Sequence, residues 1–224
     1  MSQKGRISLV GAIDSICHHS NHPISPKAIK LLQDLNSFST IQIDEPEFER
    51  RLNAFSHLNH ADDASHSKLA PKEWELLIQH SLFQIRDPDE LSLRGSAASA
   101  LCRFLELAES NPDSEVQMTL KVVMIPSLKK ALRSKLEIIR QEVLTVLACA
   151  VAKQFPAVSE LKEMRCLLVK GDKEAKYIYH IQAHRRIWAL RRLCNETEAG
   201  RLRSKVLLHM FVPLLTHNFL PKDS

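Results

Sequence analysis

The sequence predicts an all-α protein, built as a solenoid of stacked antiparallel helix pairs. Three observations carry that expectation. Leucine and alanine, both strong helix formers, supply 51 of 224 residues. Only five residues are glycine, no Asn-Gly or Asp-Gly pair occurs, and the strongest hairpin signal is therefore missing. Apolar residues recur at helical spacing through most of the chain beyond residue 24.

The elements follow in order from these patterns. Residues 1–23 have two cations and a short apolar stretch broken by Asp14, and read as a poorly ordered or partly helical segment. Helices are expected near 26–37, 46–59, 71–85, 91–109, 116–134, 137–154, 158–169, 177–196 and 202–218. Pro26, Pro46 and Pro71 fall at first turns, where the missing N–H costs nothing. Asp87-Pro88-Asp89 and the run Asn111-Pro112-Asp113-Ser114 are turn-and-cap clusters. The Ser/His-rich stretch 60–68 reads as a surface loop, and 221–224 as a tail beyond the helical array at 24–220. The last helix is strongly apolar, and Leu207, Leu208, Phe211, Leu214 and Leu215 are expected to form an exposed patch.

Four of the helices share a pattern. Arg51 is followed at three, four and seven positions by Ala54, Phe55 and Leu58. Arg94 is followed by Ala97, Ala98 and Leu101, Arg140 by Val143, Leu144 and Leu147, and Arg186 by Ala189, Leu190 and Leu193. The arginines stand 43, 46 and 46 residues apart. A period in the forties belongs to HEAT and armadillo arrays, where one helix pair cannot bury its own apolar stripe and neighbours stack to share a core. Arg51, Arg94, Arg140 and Arg186 are then structural repeat arginines that tie the turn before each second helix.

Charge is uneven along the chain. Residues 1–60 balance to zero, residues 61–120 carry −6 and residues 121–224 carry +11, giving the net +5. The basic half favours polyanions or acidic surfaces. Five glycines at positions 5, 11, 95, 171 and 200 build no phosphate loop and no dinucleotide fingerprint. The longest apolar run, 143–152, is about half the length of a bilayer-spanning helix, so no membrane segment is expected. Five widely spaced cysteines without a C-x-x-C are the pattern of reduced, mostly buried thiols. Cys17, His18, His19 and His22, and the i, i+4 pair His180 and His184, lack a second ligand set, so no metal site is expected. No nucleophile–base set is marked by spacing and no G-x-S-x-G occurs. The reading is non-enzymatic, with no cofactor.

The segment EAKYIYHIQAHRRIWALRRL (174–193) resembles the small-subunit processome component 20 homologues, also called the U3 small nucleolar RNA-associated protein 20 or down-regulated-in-metastasis family. His180, Ile181, Gln182, His184, Arg185, Arg186, Ala189, Leu190, Arg191 and Leu193 carry the match. DEPEFERRLNAFSHL (44–58) is similar to the family's P-x-F-x-x-R-x-N-A-F pattern, and 137–156 resembles the corresponding helix in spacing. The chain departs from the pattern at Ala183 and at Ile187-Trp188. The resemblance implies an internal part of a long helical-repeat protein, flanked by further repeats. It implies the nucleolus as location, pre-ribosomal RNA and processome proteins as partners, and a scaffold role in 18S ribosomal RNA maturation and small-subunit assembly.

A candidate RNA or partner contact lies on the same helix. Ala183, Ile187, Leu190, Leu193 and Cys194 are expected on its core face. Arg185 and Arg192 then fall opposite, with Trp188 beside them and Arg191 nearby. A tryptophan flanked by guanidiniums can stack an unpaired base, with phosphate contacts alongside. The alternative reading of the residues is a second apolar stripe against the next repeat. The alternative for the whole chain is a generic HEAT-repeat adaptor that binds acidic proteins.

Overall fold

The computed structural model describes residues 3–19, 24–39, 41, 45–60, 69–87, 91–110, 114–153, 155, 158, 160–164 and 183–219. The protein is all-α: among these residues the only extended pairing is one isolated antiparallel bridge, Phe38 with Pro46. The chain divides into two compact units, Met1–Phe104 and Leu105–Ser224.

The first unit opens with α1 (Gln3–His19), a 17-residue helix in the segment read as poorly ordered or partly helical. α2 (Pro26–Leu35) starts with Pro26 in its first turn and Ser25 as N-cap, whose hydroxyl accepts from the Ala28 N–H at 3.3 Å. α3 spans Phe48–Asn59. Pro46 lies ahead of it, in the bridge to Phe38 instead of in a first helical turn. α4 (Pro71–Arg86) again has proline at its start. A 3-10 turn at Leu91–Leu93 leads into α5 (Arg94–Ser110), within which the division between the units falls.

Buried Glu73 joins two of these helix starts. Its carboxylate accepts from the Ser25 N–H at 2.6 Å, ahead of α2, and from the Ala70 N–H at 2.7 Å, ahead of α4. One acid thus serves the orphan amides at the positive ends of two helices. Leu35, Phe55, Leu82 and Ile85 are completely buried in this unit, and the Trp74 ring lies 5.6 Å from that of Phe104.

The second unit contains α6 (Ser114–Thr119), α7 (Ile125–Ala131), α8 (Glu137–Lys153), α9 (Glu160–Met164), α10 (Ala183–Glu198), α11 (Ser204–Val206) and α12 (Val212–Phe219). The helices expected at 116–134 and 202–218 are each interrupted by a π-turn, at Leu120–Met124 and Leu207–Phe211. The turns are closed by the Ile125 N–H to the Leu120 carbonyl and the Val212 N–H to the Leu207 carbonyl. Proline follows in both cases, Pro126 and Pro213. Proline inside a helix lacks its N–H and its ring collides with the carbonyl four residues back, and a widened turn accommodates both. These two π-turn prolines stand 87 residues apart.

The core of this unit holds Leu128, Val143, Leu147, Met164, Met210 and Leu214 among others. Phe211 and Leu214 are completely buried, so the exposed patch expected of the last helix shrinks to Leu208 and Val212. Several expectations lie outside the described residues: most of the loop at 60–68, most of the turn-and-cap clusters at 87–89 and 111–114, the stretch 165–182 with most of the His-Ile-Gln-x-His-Arg-Arg motif, and the tail at 221–224.

Candidate functional site

The arginine-led helices present their patterned residues inward. Ala54, Phe55 and Leu58 are buried, as are Ala97, Ala98 and Leu101, and Val143, Leu144 and Leu147. The arginines of these three sets are buried too, and each reaches back to the turn before its own helix. Arg51 Nε donates to the Ser37 carbonyl at 2.8 Å. An Arg94 Nη donates to the Asp87 carbonyl. Arg140 Nη1 donates to the carbonyls of Ser134 at 2.6 Å and Lys135 at 2.8 Å. Turn carbonyls with no helical partner are thereby satisfied by a donor that stays charged at any working pH.

In the first unit a cation–aromatic stack extends these ties. The Phe38 ring carries the Arg51 guanidinium 4.3 Å from its centroid and that of Arg6 at 5.2 Å. Arg6 also lies 5.3 Å from the Phe83 centroid and pairs with Asp87 at 3.9 Å. Sequence reasoning did not find Arg6, Phe38, Phe83 or Glu73. For Glu73 a signal was present, since it stands two residues after Pro71 at the third position of a helix. No spacing marks Arg6 or Phe38.

α10 is built differently. Ala189 and Leu193 are buried, while Arg186 and Leu190 are half-buried. Ile187 is 49% exposed and Cys194 is exposed, which corrects the expected core face. The buried direction follows the arginine-led spacing, through Ala189 and Leu193, and not the stripe through Ile187 and Cys194. The thiols correct a second expectation: Cys17, Cys102 and Cys149 are half-buried and Cys194 is exposed.

Trp188 is 49% exposed, and the Arg192 guanidinium lies 5.5 Å from its ring centroid, one helical turn on. Arg191 is exposed and Arg192 half-buried; the Arg185 side chain is outside the described set. Past the helix, Gly200 adopts φ +68°, its N–H bonding the Thr197 carbonyl at 3.0 Å while the Arg201 N–H bonds that of Glu196 at 3.0 Å. This is a Schellman ending, which requires the left-handed backbone that glycine takes without strain. Arg201 also forks onto the Glu196 carboxylate at 2.6 and 3.0 Å, and those bonds hold that carboxyl below its ordinary range.

Among the described residues no group of three or more His, Cys, Asp or Glu is placed to hold a metal ion. No described helix is long and apolar enough to cross a membrane.

Fold and contacts together define a class: an all-α chain whose interhelical turns are tied by buried arginines and whose basic α10 leaves Ile187, Trp188 and Arg191 exposed. The chain belongs to the U3 small nucleolar RNA-associated protein 20 family, whose N-terminal model matches residues 1–136. The protein named U3 small nucleolar RNA-associated protein 20 in Schizosaccharomyces pombe is 35% identical over 86% of this chain. The protein of the same name in Saccharomyces cerevisiae is 32% identical over 87%. The chain spans 8% of the length of each of these curated relatives. The family model takes in the resembling piece at 44–58 and stops short of 174–193.

Proposed function

We propose that this chain is a non-enzymatic helical-repeat scaffold acting in 18S ribosomal RNA maturation and small-subunit assembly in the nucleolus. Its partners are pre-ribosomal RNA and small-subunit processome proteins. The observation that carries the reading is the 35% identity, sustained over 86% of the chain, to a protein named for association with U3 small nucleolar RNA. The array at 24–220 is of the HEAT type, with α2 and α3, α4 and α5, and α7 and α8 as successive pairs. Arg51, Arg94, Arg140 and Arg186 are its repeat arginines. The matching ties from Arg51, Arg94 and Arg140 to their preceding turns support that arrangement.

RNA is met on α10 by Arg185, Trp188, Arg191 and Arg192. The half-exposed indole offers a face for an unpaired base, and the guanidiniums offer phosphate contacts. The test pairs RNA binding with thermal unfolding. Trp188→Ala is expected to weaken RNA binding by about 1–3 kcal/mol with the melting temperature held. Arg185→Ala with Arg192→Ala is expected to weaken unrelated RNAs about equally and flatten the salt dependence by roughly one to two counterions. Unfolding by Trp188→Ala, with RNA binding of the arginine variant unchanged, would make this face a contact between repeats.

A further inference from the structure

A second cluster of cations forms in the second unit, on residues that the α10 contact does not use. Lys129 and Lys130 sit in the last turn of α7, and Arg133 follows it. Arg203 is the N-cap of α11, and Lys205 lies in that helix. The two stretches meet in the fold: the Arg133 guanidinium donates to His209 Nδ1 at 3.2 Å, across 76 residues of sequence. Lys129 stands within reach of the charges of Lys205 and Arg203. Its burial first, then those two cations, hold its ammonium below the ordinary lysine range.

Two carboxylates answer the cluster. Glu160 pairs with Lys129, and Glu163 pairs with Arg203 and also accepts its backbone N–H at 2.8 Å. Among the described residues, the five cations Lys129, Lys130, Arg133, Arg203 and Lys205 outnumber these two carboxylates, leaving a surplus of positive charge, with Lys130, Arg133, Arg203 and Lys205 exposed. Like charges gathered on a folded surface repel, and a polyanion laid across them converts that cost into affinity. The geometry points to an RNA phosphate-binding ridge formed by Lys129, Arg133, Arg203 and Lys205 around His209. Guanidinium forks at Arg133 and Arg203 suit phosphate oxygens, and the ammoniums add unoriented charge. The choice of RNA rests on the scaffold reading above; an acidic protein segment is the competing occupant.

The test uses the whole chain with two probes, poly-uridylate and polyglutamate. The double variant Arg133→Gln, Lys205→Gln changes two exposed side chains and leaves the core intact. It is expected to weaken poly-uridylate binding about tenfold at low salt and flatten the log–log salt slope by roughly 1.4, the value for two single-strand phosphate contacts. On the unmodified chain, bound poly-uridylate is expected to protect Lys129 and Lys205 from acylation and leave Lys30 and Lys72 reactive. Unchanged affinity and slope in the double variant, with Lys205 still reactive, would overturn the ridge. Protection of Lys205 by polyglutamate at lower concentration than by poly-uridylate would overturn the choice of RNA. A comparator, Arg191→Gln with Arg192→Gln, separates the two proposals. Loss in that variant alone sinks the ridge and keeps the α10 contact, whereas an unmodified chain that binds no RNA sinks both.

Discussion

The helices α3 and α10 begin from the same sequence pattern and are held in place by different forces. In α3 the arginine and its three patterned followers, Arg51, Ala54, Phe55 and Leu58, are all at most 3% exposed. The helix ends at His60 in extended backbone, its N–H bonding the Ser56 carbonyl. In α10 the arginine is half-buried, a tryptophan and an isoleucine lie half in solvent, and the end is fixed by Gly200 and the Glu196–Arg201 pair. Tertiary burial fixes the first helix, and local capping and surface pairs fix much of the second. The arginine-led spacing therefore identifies which face turns inward but says little about how deeply it goes.

The sharpest way to break this comparison is to truncate the arginines. Arg51→Ala removes the buried guanidinium that donates to the Ser37 carbonyl and lies over Phe38, and leaves a void the size of a guanidinium in the core. A cost of about 3 kcal/mol is expected, in the range for breaking a buried charged contact. Arg186→Ala, at a half-buried site, is expected to cost about 1 kcal/mol or less. Denaturant unfolding of the two variants side by side measures the difference. Equal losses would mean that α10 is as deeply anchored as α3.

What was legible in the sequence follows the same divide. Helix identity and most boundaries were, because period-3.6 patterning and proline starts act within a few residues: Pro26 and Pro71 open α2 and α4 as read. The inward direction of α10 was present in the Arg186, Ala189, Leu193 spacing. It was obscured by Ile187, whose apolar side chain weighs heavily on a helical wheel and yet stays half in solvent. The π-turns before Pro126 and Pro213 were not legible, since the same residues satisfy a straight helical pattern up to the proline. The Arg6–Phe38–Arg51 stack joins residues 32 and 13 positions apart on three segments, and only the fold brings them together. For the basic clusters, the +11 balance of residues 121–224 was plain. That Lys129 and Arg133 would meet Arg203, Lys205 and His209 needed the packing of α7 against the turn at Leu207–Phe211.

A smaller effect sharpens the local side of the comparison. At Gly200 an added Cβ would meet nothing within 4 Å, so a substitution there is strained by its φ of +68° alone. Gly200→Ala is expected to cost about 1 kcal/mol, the penalty of a left-handed conformation for an L-residue. Gly200→Asn should lose less, because asparagine tolerates that region. The readout is the melting temperature of the whole chain, followed by far-ultraviolet circular dichroism. Indifference to alanine would mean that the Schellman ending does not hold α10.

The smallest expected effect is also the one with a pH and salt signature. Hydrogen bonds from Arg201 keep the Glu196 carboxyl below its unfolded value, so the pair stabilises the folded state above that unfolded value and the benefit is lost as pH falls through the folded one. Glu196→Gln should therefore be slightly less stable than the unmodified chain at neutral pH, and the gap should narrow as pH falls past the ordinary glutamate value and close only once it is below the depressed folded value, where the carboxyl is protonated in both states. Both partners are in solvent, so about 1 M salt should close the same gap. The Arg51→Ala deficit should respond much less to either, because its buried contacts include the Ser37 carbonyl and the Phe38 ring, which do not titrate. Unfolding curves for both variants at neutral and acid pH, each at low and high salt, decide the matter. A Glu196→Gln gap that persists in acid and in salt would place a buried contribution at the end of α10, and the contrast with α3 would then fail at the point where it is drawn most finely.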